Sequence, residues 1–148
     1  QEGGYLRPDT DRKRMKQAKL PPMRFESTDG YPIYVGRNNR QNDELTFRLA
    51  RKDDIWCHAS KVHGSHVIIS CGGTTPPDDT VTQAAQLAAY YAETGGGQNI
   101  PVDVTAVKQV KKIPNGKPGM VIYHTYRTVI ANPYPDIVVD ALNAETKE

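Results

Sequence analysis

Much that would announce a protein class at a glance is scarce in this sequence. Two cysteines in 148 residues make no disulfide framework, and Cys57 and Cys71 lie in or beside apolar runs, where a free thiol behaves as a small hydrophobe. A reducing compartment is the simpler setting. No window approaches the roughly eighteen consecutive apolar residues of a membrane span, and the N-terminus lacks the apolar core of a signal peptide, so the expected location is cytoplasmic, without a membrane partner. A start at Gln1 rather than Met suggests a piece cut from a longer polypeptide. Carboxylates are missing altogether from residues 108–127, which hold Lys108, Lys111, Lys112, Lys117 and Arg127. No acid offsets the field of that stretch, and the partner it suits is an anion.

What is present is rich in turns, with 12 Gly and 11 Pro. The length fits one domain with a modest core. Residues 1–22 hold Arg7, Arg12, Lys13, Arg14, Lys16 and Lys19, have little apolar content and end in Leu-Pro-Pro, which opposes helix continuation; they read as a basic linker. Residues 23–140 read as the folded domain and 141–148 as a polar tail. Strands are predicted over 23–27 and 31–35, joined across Thr28-Asp29-Gly30, with Pro32 requiring an edge or bulge position. Asn38 and Asn39 are good caps for a helix over 39–50, interrupted near Asn42-Asp43. A second, Ala-rich helix follows a cap at Asp79 or Thr80 and stops at Gly95-Gly96-Gly97. Val102, Val104 and Ala106 alternate with Asp103, Thr105 and Val107 in a strand continuing towards Val110, and 120–130 read as its successor. The predicted fold is α+β, a mainly antiparallel sheet with two helices packed on it. No internal repeat is visible.

The chemistry concentrates in residues 53–70, DDIWCHASKVHGSHVIIS, a predicted hairpin carrying the only tryptophan, three of the four histidines and two carboxylates. Period-2 geometry puts Asp54, Trp56 and His58 on one strand face and Ile55 and Cys57 on the other. This row can be a core tryptophan with a hydrogen-bonded imidazole beside it, or a binding surface on which Asp54 orients His58. A second candidate is the dense polar run Arg37, Asn38, Asn39, Arg40, Gln41 and Asn42, whose planar groups can hold phosphate, sugar or base edges, or can satisfy a local turn. Zinc binding by Cys57, His58, His63, His66 and Cys71 matches no standard spacing, and Cys57 and His58 point to opposite faces, so no metal or other cofactor is expected. A hydrolase built on Ser65, His58 or His66 and Asp54 has the residue types but no strand-to-helix nucleophile elbow.

Four separated stretches, GRNNRQNDELT, DIWCHASKVHGSHVII, AAQLAAYYA and PVDVTAVKQVKKIPNGKPGMVIY, resemble the successive motifs of the NFACT-R domain. This is the C-terminal RNA-binding module of the RqcH/NEMF ribosome quality control family, whose bacterial members were also called fibronectin-binding protein A-like. The resemblance covers residues 24–136. It implies that Asp54, Trp56, His58, Ser65 and His66, Arg37, Asn38, Asn39, Gln41 and Asn42, and Lys111, Lys112 and Lys117 face RNA; Arg40 from the polar run and Lys108 from the basic stretch join them as RNA-binding candidates. His63 departs from the Pro that the family usually has before Gly-Ser-His, and residues 113–116 differ from the usual basic loop. The implied function is binding rather than catalysis: engagement of tRNA and of an obstructed large ribosomal subunit, with the remaining domains of a longer protein, in untemplated alanine tailing of stalled chains. Adhesion to an extracellular matrix protein, from the older name, is the alternative.

Overall fold

The computed structural model describes residues 20–94 and 97–134. The basic cluster at Arg7–Lys19, the helix stop at Gly95-Gly96, the end of the predicted domain at 135–140 and the polar tail at 141–148 lie outside them. The described residues form eight strands: β1 (Met23–Glu26), β2 (Pro32–Val35), β3 (Ile55–Ala59), β4 (Val67–Ile69), β5 (Ile100–Ala106), β6 (Lys111–Lys112), β7 (Val121–Ile122) and β8 (Arg127–Ala131). Six of them make one sheet in the order β1-β2-β4-β3-β5-β8, antiparallel at every pairing, and β6 and β7 form a separate small hairpin. The helices are α1 (Asn39–Glu44), continued by a π-helical turn (Leu45–Leu49), and α2 (Asp78–Tyr90). The fold is the α+β arrangement that the pattern of runs and turns predicts.

Gly30 adopts φ +87° in the β1–β2 turn, the left-handed conformation for which Asp-Gly is suited. Pro32 opens β2 opposite Glu26 and uses only its carbonyl, which accepts from Ser70 N at 2.9 Å. Thr80 does not cap α2. Its hydroxyl lies 2.8 Å from Ser27 Oγ and 2.9 Å from Asp29 Oδ2, locking the β1–β2 turn to the helix, while Pro77 takes the cap position without a side-chain bond. Asp78 and Asp79 instead place negative charge in the first turn, where the helix dipole favours it.

Two predicted strands are shorter than the sequence pattern implies. β5 ends in a 3₁₀ turn at Val107–Gln109, where Val107 N and Lys108 N donate to Asp54 O and Lys52 O instead of a strand partner. The run 120–130 is split: β7 pairs with β6, β8 pairs with β5, and the chain bends between them, where Thr105 Oγ1 donates to Thr125 O at 2.6 Å. Propensity for strand is uniform along that run, and side-chain bonds to the neighbouring strand decide where it turns.

The period-2 expectation for β3 holds. Cys57 and Ala59, with Ile33, Val35, Val67, Ile69, Val102 and Val104, form an apolar layer under Ala84, Ala85, Leu87 and Ala88 of α2. Trp56 faces the other way and packs with Ile68, Leu45, Val107 and Val110, beside Phe47, Val121 and Tyr123. Both sheet faces are therefore covered, one by a long helix and the other by α1, its π-helical turn and the β6–β7 hairpin.

Candidate nucleic-acid interface

On the second face, Trp56 is fully buried. His58 stacks on it with the ring planes 7° apart and the centroids 5.6 Å apart; His66 and Tyr123 meet its ring edge to face at 5.4 and 4.8 Å. Strand register carries this cluster sideways, because His58 lies opposite Asp103 on β5 and Asp103 lies opposite Thr128 on β8. The Asp103 carboxylate accepts from Tyr123 Oη at 2.6 Å and from Thr128 Oγ1 at 3.1 Å. Burial pushes the Tyr123 phenol up from its usual range, and the bond to Asp103 pushes it the same way, so it remains a protonated donor.

Both imidazoles are held neutral. His66 is pushed down to about 4, by burial first and then by His58. Its Nε2 lies 3.0 Å from Gly119 O, which can only accept, so Nε2 carries the proton and Nδ1 accepts from the Thr46 hydroxyl at 2.7 Å. His66 thus ties the π-helical turn to the basic hairpin. Gly119 has φ +86°, and a Cβ there would stand 3.2 Å from Asn39 O, so a glycine lets the hairpin close on α1. Burial also lowers His58, against the opposing pull of the Ala59 carbonyl, to which Nδ1 donates at 2.7 Å.

The structure corrects several candidate roles. Asp54 does not orient His58: it is buried at the mouth of β3, and its carboxylate accepts from Arg51 N, Cys71 N and Gly72 N at 2.9, 3.0 and 2.9 Å. An acid one residue before a strand meets the loops that enter and leave the sheet before it can reach along the strand. Much of the polar run is internal structure. Asn38 Oδ1 caps α1 by accepting from Gln41 N at 2.8 Å; Gln41 is buried and bonds Arg37 N and Leu20 O; Asn42 is buried and accepts from His66 N. Gly36 has no Cβ because Asn42 Oδ1 occupies that space. Arg37, Asn39 and Arg40 remain exposed.

Among the cations, Lys111 and Lys117 are exposed on the β6–β7 hairpin. Lys112 is exposed but engaged, 2.8 Å from Asp43 Oδ2 and 5.4 Å from the Phe47 ring centroid, so it anchors the hairpin to the end of α1. Lys108 belongs elsewhere, beside Asp53, Thr75 and Arg127. Ser65 is half-buried between Gly64 and His66. The elements that do converge form an open cleft of about 570 Å³, lined by Asn39, His58, Lys61, His63, Lys117 and Tyr123, with Trp56 in its wall. Lys61, Asp103 and Tyr123 went unmarked as site residues in the sequence. An acid at the centre of the alternating strand VDVTA was the available signal for Asp103, and only the pairing register reveals its partners.

Among the described residues no three His, Cys, Asp or Glu side chains are grouped as a metal site. Cys57 is buried, with its thiol pushed up to about 12 by burial. Uncharged rings lining a cleft, with cations at its rim and an antiparallel sheet behind, define a binding domain suited to a polyanion with planar groups. Comparison with known proteins makes this specific: the family model described as NFACT protein RNA binding domain matches residues 22–125, and the chain belongs to that family. It is 44% identical over 141 residues to the Rqc2 homolog RqcH of Bacillus subtilis (strain 168), with 93% of this chain and 24% of that protein covered. It is 43% identical over 131 residues to the Rqc2 homolog RqcH of Streptococcus pneumoniae serotype 2, covering 88% of this chain and 23% of that protein. The chain thus spans about a quarter of the length of these relatives. A solved structure described as the C-terminal of the fibronectin/fibrinogen-binding protein from Streptococcus suis is similar at 35% identity and a TM-score of 0.77, over 89% of this chain and 58% of that one.

Proposed function

We propose that this chain is the RNA-contacting module of a ribosome quality control factor, engaging tRNA and the obstructed large ribosomal subunit while untemplated alanine is added to a stalled chain. The observation that carries the reading is the carboxylate-free hairpin, on which Lys111 and Lys117 are exposed and Lys117 lines the cleft. Such cations give affinity for phosphates without reading sequence, and neutral rings beside them suit a nucleic acid better than a lone anion. The domain binds and does no chemistry of its own. Peptide-bond formation belongs to the ribosome, and no cofactor is needed. The remaining domains of the longer protein supply further contacts, and the setting is the cytoplasm.

The test is binding of labelled tRNA, and sedimentation with large ribosomal subunits, for the parent and for Lys111→Ala/Lys117→Ala. Weaker binding is expected, with a salt dependence flattened by about 0.7–0.9 in slope for each phosphate contact removed. Equal slopes would overturn the role of the hairpin. The similarity to the fibronectin/fibrinogen-binding protein favours one second reading, adhesion. Retention of the chain on immobilised fibronectin, with no retention on RNA, would establish it in place of the first.

A further inference from the structure

The cleft divides into two zones of different chemistry, and the division says what part of an RNA it takes. Its floor is made of rings: His58, half-buried and lying flat on the buried Trp56, and Tyr123, whose hydroxyl is committed to Asp103. Neither imidazole of the cluster is charged near neutral pH. A phosphate moved onto that floor loses water and meets no cation, at a cost that an uncharged surface does not offset. An uncharged, flat, apolar-faced group meets the opposite situation. Lys61 and Lys117, exposed and in no ion pair among the described residues, stand on the rim together with His63, which lies 4.0 Å from Glu93. Their positions suit a phosphate that stays in contact with water.

We propose that the cleft takes one unpaired nucleotide, its base lying against the rings of His58 and Tyr123 over Trp56 and its phosphate held at the rim by Lys61 and Lys117. The volume lies within the roughly 300–1,000 Å³ of sites for small planar ligands. One further feature fits this occupant. Asn39 is exposed at the rim, where its amide can pair with a base or sugar edge. A paired base buries both faces in its own stack, so duplex RNA meets only the rim cations. The inference rests on the RNA-binding reading above and adds to it a preference for unpaired over paired RNA.

Trp56 is the only tryptophan of the chain, so intrinsic fluorescence reports on the floor directly. The experiment titrates the whole chain with a single-stranded oligoribonucleotide and with the same strand fully paired to its complement, following tryptophan emission and, independently, binding by gel shift. The single strand is expected to change the emission and to bind about tenfold more tightly than the duplex, the scale of one base stacked on a ring. His58→Ala is expected to abolish that preference while leaving duplex binding in place. Lys61→Ala/Lys117→Ala is expected to weaken both, and a melting curve of each variant separates lost binding from lost fold. Single strand and duplex bound equally, with emission unchanged in both, would overturn the nucleotide site and leave RNA binding by the hairpin standing. No gel shift with either RNA would overturn the RNA reading itself.

Discussion

The two faces of the six-stranded sheet are built on different principles although they share every strand. Towards α2, each buried strand position is aliphatic or small, from Ile33 to Val104, with Phe25 packed at the margin, and the helix meets them with Ala84, Ala85, Leu87 and Ala88. Small side chains let the helix axis come close, and stabilisation there scales with apolar area removed from water. On the opposite face, His58, His66, Asp103, Thr105 and Tyr123 sit around Trp56 among far fewer aliphatic residues, fixed by directed bonds at 2.6–3.1 Å. Its cover consists of short pieces, six residues of α1, five of π-helix and a hairpin of two-residue strands. A long helix seals its face; short elements joined by hydrogen bonds leave a cleft between them.

The comparison can be broken in three ways, in descending size of effect. Trp56→Ala removes the largest fully buried side chain, at the centre of the bonded face, and is expected to cost about 3–5 kcal/mol of folding stability. Denaturant unfolding beside Leu87→Ala on the other face measures whether the two faces contribute alike. A cost under about 1 kcal/mol for Trp56→Ala would mean that the bonded face is not a core at all.

The second test is pH. His66 has a folded pKa of about 4, below the unfolded value of 6.5, so between these values the unfolded chain binds more protons. Stability is then fully present above about pH 6.5, falls as the pH drops through that window, and is lost in full below about 4. The shift corresponds to roughly 3 kcal/mol at most. His58, also lowered, adds in the same sense. Unfolding free energies of the parent and of His66→Gln across the window should diverge at neutral pH and converge in acid; parallel curves would show that His66 is not the titrating group.

Third, Asp54→Ala leaves three loop N–H groups without their acceptor and is expected to cost about 1–3 kcal/mol. RNA affinity at a temperature where the variant remains folded should be unchanged, because Asp54 does not line the cleft and its carboxylate serves the loops instead. Loss of RNA binding by the folded variant would return Asp54 to the interface.

Local sequence patterns were sufficient for several of these elements. Alternation in Ile55–Ala59 and Ile100–Ala106, the Asp-Gly turn, the Ala-rich helix and the Asn cap each follow from one residue's geometry or from period 2 or 3.6. The separation of Trp56 and His58 from Cys57 and the α+β class were legible for the same reason, and the cationic stretch from charge alone. Boundaries were less so: the end of β5, the break at 123–126 and the cap of α2 depend on which neighbour supplies an acceptor, as Thr125 O does for the Thr105 hydroxyl and Ser27 Oγ for that of Thr80.

The sequence by itself determined which residue types are available and on which side of each strand they stand, because alternation is a local property of the backbone. It could not say that Gln41 and Asn42 are buried struts while Lys117 is exposed, or that Asp54 serves loops and Asp103 serves Tyr123. Those outcomes rest on contacts spanning 17–24 residues in sequence, and for His66 and Gly119 as many as 53. A polar side chain has several possible partners in an unfolded chain, and it is the register of distant strands that leaves it one.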